Sequence, residues 1–188
     1  MTSFVPQLRT TFLVLCLATP GTAQGAGQQI GQMVSSDLNG DQRVERFTLL
    51  DTGENTVDLR IENTGGGVIY AEDIAWVGSI GQQPELSLAP NGSVKLISMN
   101  EAIGRNRWHM TLTIAYRKGA YRVAGFTYDW YDTLDLNDYG LCDLNLLNGR
   151  GVVENGGSRK NVRTDQPAIP VTQWNDDIPI PKACGLLD

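Results

Sequence analysis

The stretch RWHMTLTIAYRKGAYRVAGFTYDWYD, residues 107–132, decides the fold class. Apolar side chains recur at every second position from Trp108 through Met110, Leu112 and Ile114 to Tyr116. Period two is the signature of a half-buried strand. Lys118-Gly119 breaks the alternation, and the chain returns through a second apolar run, so the segment reads as a long hairpin. Placing Tyr116 opposite Tyr121 sets Trp108 to Tyr116 on one face. The opposite face then carries Arg107 and His109, with Phe126, Tyr128 and Trp130 on the returning strand. Flat rings beside polar groups suit a sugar or a protein partner, so these five residues form a candidate binding face. The competing reading is contact with a second sheet, which any sandwich requires.

Working outward, the same grammar repeats. ELSLAPNGSVKLIS, residues 85–98, predicts a hairpin with a three-residue loop at Pro90-Asn91-Gly92, pairing Leu88 with Val94 and Leu86 with Leu96. The formal glycosylation sequon Asn91-Gly92-Ser93 is explained by the same tight turn. TVDLRIE, residues 56–62, alternates Val57, Leu59 and Ile61 with Asp58, Arg60 and Glu62. NGR at Asn148 and ENGG at Glu154 mark later turns. With no long stretch of helical period, about eight to ten strands are expected. The class is all-β: antiparallel hairpins forming a sandwich, a barrel or a partial propeller-like array. Residues 164–188 hold Pro167, Pro170, Pro179 and Pro181, and should run extended over the surface.

Residues 1–23 have the layout of a secretory signal peptide: Arg9, the short apolar run FLVLCLA, then Gly21 and Ala23 as small residues before the cut. The run is too short for a bilayer span, so no membrane anchor is expected. Residues 24–34, QGAGQQIGQMV, read as a flexible lead, and residues 35–188 as one all-β domain that includes the tail. Removing residues 1–23, which carry one Arg and no acid, takes the formal net charge from −6 to −7. That charge argues against nucleic acid and anionic membranes as partners, and it suits cation binding. Cleavage also removes Cys16, leaving Cys142 and Cys184. In an oxidising periplasmic or extracellular compartment an even pair reads as a disulfide; the alternative is two buried thiols.

The chemical lead is DLNGDQRVERF, residues 37–47. Asp37, Asn39 and Asp41 place oxygens at alternate positions of a tight turn, the arrangement by which a short loop wraps Ca2+. The carbonyl of Arg43 and the carboxylate of Glu45 would complete the set, and Gly40 permits the turn. The twelfth position from Asp37 is Thr48, so this is not an EF-hand. The loop resembles the calcium-binding hairpin loop of FG-GAP and VCBS repeats, D-x-[DN]-G-D-G-x-x-D. Asp37, Asn39, Gly40, Asp41 and Glu45 match that pattern, with Gln42 in place of Gly and Glu45 in place of Asp. The resemblance covers this loop alone and implies a calcium loop, not a whole propeller. The alternative is a metal-free turn rich in Asp and Asn. DLN recurs at Asp135 and Asp143 without the following acid, and both copies read as turns.

Asp129, Asp132, Asp135, Asp138 and Asp143 fall in a segment free of Lys and Arg. They read either as paired carboxylates for glycoside hydrolysis or as a solvated acidic loop. His109, the only histidine, has no nucleophile elbow to serve and reads as an exposed strand residue. The expected function is a secreted, calcium-stabilised β domain with a non-catalytic binding or structural role toward a protein or carbohydrate ligand. One alternative is a hydrolase using acids in residues 129–143. A periplasmic inhibitor of a wall-degrading enzyme is the other, and it rests on analogy alone.

Overall fold

A computed structural model describes residues 1, 27–78 and 81–186. The expected leader at residues 2–23 and the first residues of the lead lie outside the described residues. Among the described residues, eleven strands form two antiparallel sheets. The first is a meander of β1 (Gln29–Ser36), β2 (Glu45–Asp51), β3 (Thr56–Glu62) and β4 (Val68–Trp76). The second is a longer meander of β5 (Glu85–Leu88), β6 (Val94–Asn100), β7 (Asn106–Arg117), β8 (Ala120–Asp132), β9 (Tyr139–Asn145), β10 (Arg150–Asn155) and β11 (Ser158–Arg163). Neither sheet closes on itself, so among the three all-β architectures the sandwich is the one formed. The lead was expected to be flexible, but Gln29–Ser36 is strand β1, and Ile30 is buried against the core. Pairing with β2 offsets a composition that alone suggests disorder.

The hairpins follow their turn chemistry. Leu88 pairs with Val94 and Leu86 with Leu96, as the turn at residues 90–92 requires. Gly92 holds φ 81, and its N–H donates to the Ala89 carbonyl at 2.9 Å. In the long hairpin Tyr116 faces Tyr121, and both turn residues are left-handed, Lys118 at φ 52 and Gly119 at φ 75.

Beyond the turn the long hairpin departs from the simple register. Ile114 pairs with Val123, but Thr113 pairs with Gly125, leaving Ala124 without a partner. This bulge moves every later residue of β8 to the other face. Leu112 now meets Phe126, Met110 meets Tyr128 and Trp108 meets Trp130. Phe126, Tyr128 and Trp130 therefore share the inner face with Trp108 and Leu112, and the five-residue binding face does not exist as one surface. The energetics explain why. Burying one Phe-sized side chain is worth about 1.5–3 kcal/mol, against about 1 kcal/mol for one lost ladder hydrogen bond. Gly125 allows the close pairing, since a Cβ there would lie 3.2 Å from that of Thr113.

Phe47, Leu49, Val57, Leu59, Ile61 and Ile74 from the small sheet are buried against Leu96, Leu112, Ile114, Val123, Phe126 and Leu144 from the large one. The tail packs over β8 and β9. It runs largely extended, with two single 3₁₀ turns, Val171–Gln173 and Lys182–Cys184, and a further turn closed by Ile178 N–H on the Asn175 carbonyl. Val123 N–H donates to the Ile169 carbonyl (3.0 Å), Trp174 packs on Phe126, and Asp176 N–H reaches the Asp73 carbonyl (2.8 Å). A disulfide joins Cys184 to Cys142, with Cα atoms 5.4 Å apart.

Candidate functional site

The loop between β1 and β2 folds around its own acceptors. Asp37 accepts from Gly40 N–H (2.9 Å) on Oδ1 and from Gln42 N–H (3.0 Å) on Oδ2. Asn39 Oδ1 accepts from Asp41 N–H, and Asp41 Oδ1 from Arg43 N–H. Glu45, at the start of β2, is 1% exposed, and its Oε2 accepts from Leu38 N–H at 2.7 Å. These bonds bring carboxylate oxygens of Asp37, Asp41 and Glu45 within 4.8 Å of one another. A carboxylate pair offers about four lone-pair sites, so each acid retains capacity beyond its backbone bond. The donor set is all oxygen, the set a hard divalent cation prefers. Gly40 (φ 79) and Gln42 (φ 68) both take left-handed backbone, which costs a non-glycine residue about 1–2 kcal/mol.

The loop is tied to the large sheet. Ser36 Oγ donates to the Gly92 carbonyl at 2.7 Å. The phenol of Tyr121, on β8, donates to Asn63 Oδ1 at 2.8 Å. Burial and then the neighbouring Glu45 carboxylate push that phenol well above its ordinary range. A cavity of about 340 Å³ opens beside it, walled by Asn39, Asn63, Tyr116 and Pro170.

The other candidates separate. Arg107 and His109 stand on the outer face of β7, paired with Tyr131 and Asp129. His109 is a strand residue as expected, but it is only partly exposed and is clamped: Nδ1 lies 3.0 Å from Asp129 Oδ1, and Nε2 lies 3.2 Å from Glu101 Oε1. Tyr131 O–H donates to the other Glu101 oxygen at 2.6 Å. Glu101 carried no sequence signal, because only the closure of the β6–β7 loop brings it to β7. Phe126, Tyr128 and Trp130 form an inner row, stacked about ring to ring at 6.4 and 6.1 Å, and Trp108 stacks on Tyr128 at 6.0 Å. Phe126 is buried, Tyr128 and Trp130 half-buried. Trp130 needs Gly140 opposite, where a Cβ would lie 2.3 Å from its ring.

The acids of the Lys/Arg-free segment hold structure. Asp132 is buried, pairs with Arg105, and accepts from Leu134 N–H and Asp135 N–H. The Arg105 hydrogen bond, with help from those two N–H groups, keeps its carboxyl below the usual carboxylate range against the cost of burial. Asp135 accepts from Asn137 N–H within a turn. Asp143, expected in a turn, lies inside β9 with Thr127 as donor, because the inward side chains of Cys142 and Leu144 hold it in the strand. On the outer face small side chains at Thr113, Ala124 and Gly125 leave a hollow of about 600 Å³, rimmed by Asp143, Arg150 and Asn161.

Compared with protein-family models, curated proteins and solved structures, the chain matches none.

Proposed function

We propose that this chain is a secreted, calcium-stabilised β-sandwich with a binding or structural role, acting in the periplasm or outside the cell on a protein or carbohydrate ligand. One observation carries the calcium reading: three carboxylates, one of them buried, converge within 4.8 Å. Two unit charges 4 Å apart interact by about 1 kcal/mol even in bulk water, and by several times that near a protein surface. A divalent cation bound by Asp37, Asn39, Asp41, Glu45 and the Arg43 carbonyl turns that repulsion into attraction and stiffens the entry to β2. The engagement of Asp129, Asp132, Asp135 and Asp143 with neighbouring donors supports a structural role for the acidic segment over hydrolysis.

Thermal melting in calcium and in chelator tests the loop. Extracellular modules bind calcium with Kd on the order of 10⁻⁴ to 10⁻³ M, and a hundredfold excess over Kd stabilises by about 2.7 kcal/mol. The expected rise is on the order of 5–10 °C for a domain of this size, and Asp41→Ala should abolish it. Equal melting in calcium at about 10–100 mM, a hundredfold above those constants, and in chelator sinks the calcium reading. Secretion is tested separately by intact mass: the mature protein should begin near Gln24.

A further inference from the structure

We propose that the end of the seven-stranded sheet carrying Ile103, Leu134 and Leu136 is a docking tip for a protein that offers an apolar cleft with a basic rim. The inference rests on the binding role proposed above and names the surface that performs it.

Three connections meet at this end: β6–β7, β8–β9 and β10–β11. Two of them present large apolar side chains to solvent, with Ile103 53%, Leu134 76% and Leu136 84% exposed. Tyr131 and Tyr139, at 39% and 42%, flank them on the adjoining strands. Single exposed leucines are ordinary, but a group gathered on neighbouring loops marks an interaction surface.

These loops are braced from beneath by polar residues that are themselves buried. Asn100 accepts from Ile103 N–H (2.9 Å) and donates to the Ile103 (2.8 Å) and Asn106 (3.1 Å) carbonyls. Asp132 Oδ1 accepts from Leu134 N–H (2.7 Å) and Asp135 N–H (3.1 Å), while its other oxygen pairs with Arg105 across the gap between the loops. Thr133 N–H closes the junction on the Arg105 carbonyl at 3.0 Å. Asp138 N–H returns to the Asp135 carbonyl (3.0 Å), and Gly156 N–H of the third loop bonds the Tyr139 carbonyl (2.9 Å). The fold thus holds the backbone rigid while the leucines contribute nothing to the core. Ordering a binding loop in advance removes an entropic cost of association.

Charge selects the occupant. Residues 101–105 and 132–138 carry Glu101, Asp132, Asp135 and Asp138 against Arg105 alone, and Arg105 is already paired with Asp132. Asp135 and Asp138 are exposed beside the leucines. An apolar centre with an acidic rim complements an apolar cleft with Lys or Arg around it, and an anionic bilayer would repel it. The cation loop lies at the opposite end, beside the turn at Gly92, so the two sites can be altered independently.

The test places the photo-reactive residue benzoylphenylalanine at 134, at 136 or, as a control, at 147, an exposed position in the β9–β10 turn at the far end. A fourth probe at Thr111 samples the outer face. Illumination of the cells that make the protein should give one protein adduct of fixed mass from 134 and 136, and none from 147 or 111. The protein so identified, once purified, should bind the wild-type chain at least about tenfold tighter than the Leu134→Asp/Leu136→Asp variant. It should also bind the wild type severalfold tighter than Asp135→Asn/Asp138→Asn, which removes the two charges and keeps the acceptor for Asn137 N–H. Neither variant should change the melting temperature. An adduct from 111 or 147 but not from 134 or 136 overturns the tip and leaves the binding role standing. Adducts from none of the four positions overturn the tip. Affinity unchanged in either variant overturns the tip, as does co-sedimentation of the wild type with phosphatidylcholine vesicles that is lost in the double Asp variant.

Discussion

Gln42 carries the backbone strain of the β1–β2 loop at one pair of dihedral angles. Its φ of 68 lies in the left-handed region that favours glycine. Gln42→Gly should therefore stabilise the protein by about 1 kcal/mol, raising the melting temperature by about 2–4 °C and strengthening calcium binding. A drop in melting temperature would show that the Gln side chain compensates for its backbone. Two aspartates should respond to pH in opposite senses. Arg105 holds Asp132 below the usual carboxylate range, so its contribution is complete above the unfolded value and is lost as pH falls through the lower folded one. Melting between about pH 5 and pH 2 should fall more steeply for wild type than for Asp132→Asn, which should also be less stable at neutral pH. Burial raises Asp176, despite the N–H of Trp76 at 3.1 Å. The folded state there takes up its proton first, so acidification through its raised value favours folding. Asp176→Asn, which keeps the acceptor, should melt at or above the wild-type temperature at pH 7.

At the scale of an element, the register of β8 after Ala124 is the feature with the largest consequence. Strand identity, the Lys118-Gly119 turn and the Tyr116–Tyr121 pair all follow from alternation and turn chemistry. The bulge does not, since Val123-Ala124-Gly125 is compatible with either register. Which register wins depends on whether Phe126, Tyr128 and Trp130 have a second layer to bury against. Deleting Ala124 should return those rings to the outer face and cost more than about 4 kcal/mol, visible as lost near-ultraviolet dichroism and a collapsed denaturation midpoint. Ala124→Ser, which keeps the residue count, should stay within about 1 kcal/mol of wild type. A deletion variant with wild-type spectra and midpoint would show that the bulge does not hold the register.

For the whole molecule, the tail acts as the layer that the four-stranded sheet does not supply. Val171, Trp174 and Cys184 are buried in the common core, and the Cys142–Cys184 bridge closes a loop spanning 42 positions. Loop-closure entropy assigns such a bridge about 4 kcal/mol. The double variant Cys142→Ala/Cys184→Ala should accordingly lower the melting temperature on the order of 10 °C. Emission from Trp174 should shift to the red as the tail loosens. Unchanged emission and melting would mean that backbone bonds and Trp174 alone keep the tail docked.

By itself the sequence determined what depends on near neighbours: the all-β class, the hairpins at residues 90–92 and 118–119, the β3 strand, and the loop that gathers Asp37, Asp41 and Glu45. Period two, turn residues and short spacing act within a few positions, so they are legible without the fold. Of three cysteines, the sequence singled out Cys142 and Cys184 only by placing Cys16 in an expected leader, and the bridge joins those two. Tertiary structure decided the rest. It recruited Gln29–Ser36 as a strand, because an edge was available to pair with it. It flipped the aromatic row inward, brought Glu101 to His109, and set Ile103 beside the Leu134 loop through the Arg105–Asp132 pair. Those outcomes compare burial against solvent across distant segments, a difference in free energy that no local pattern encodes.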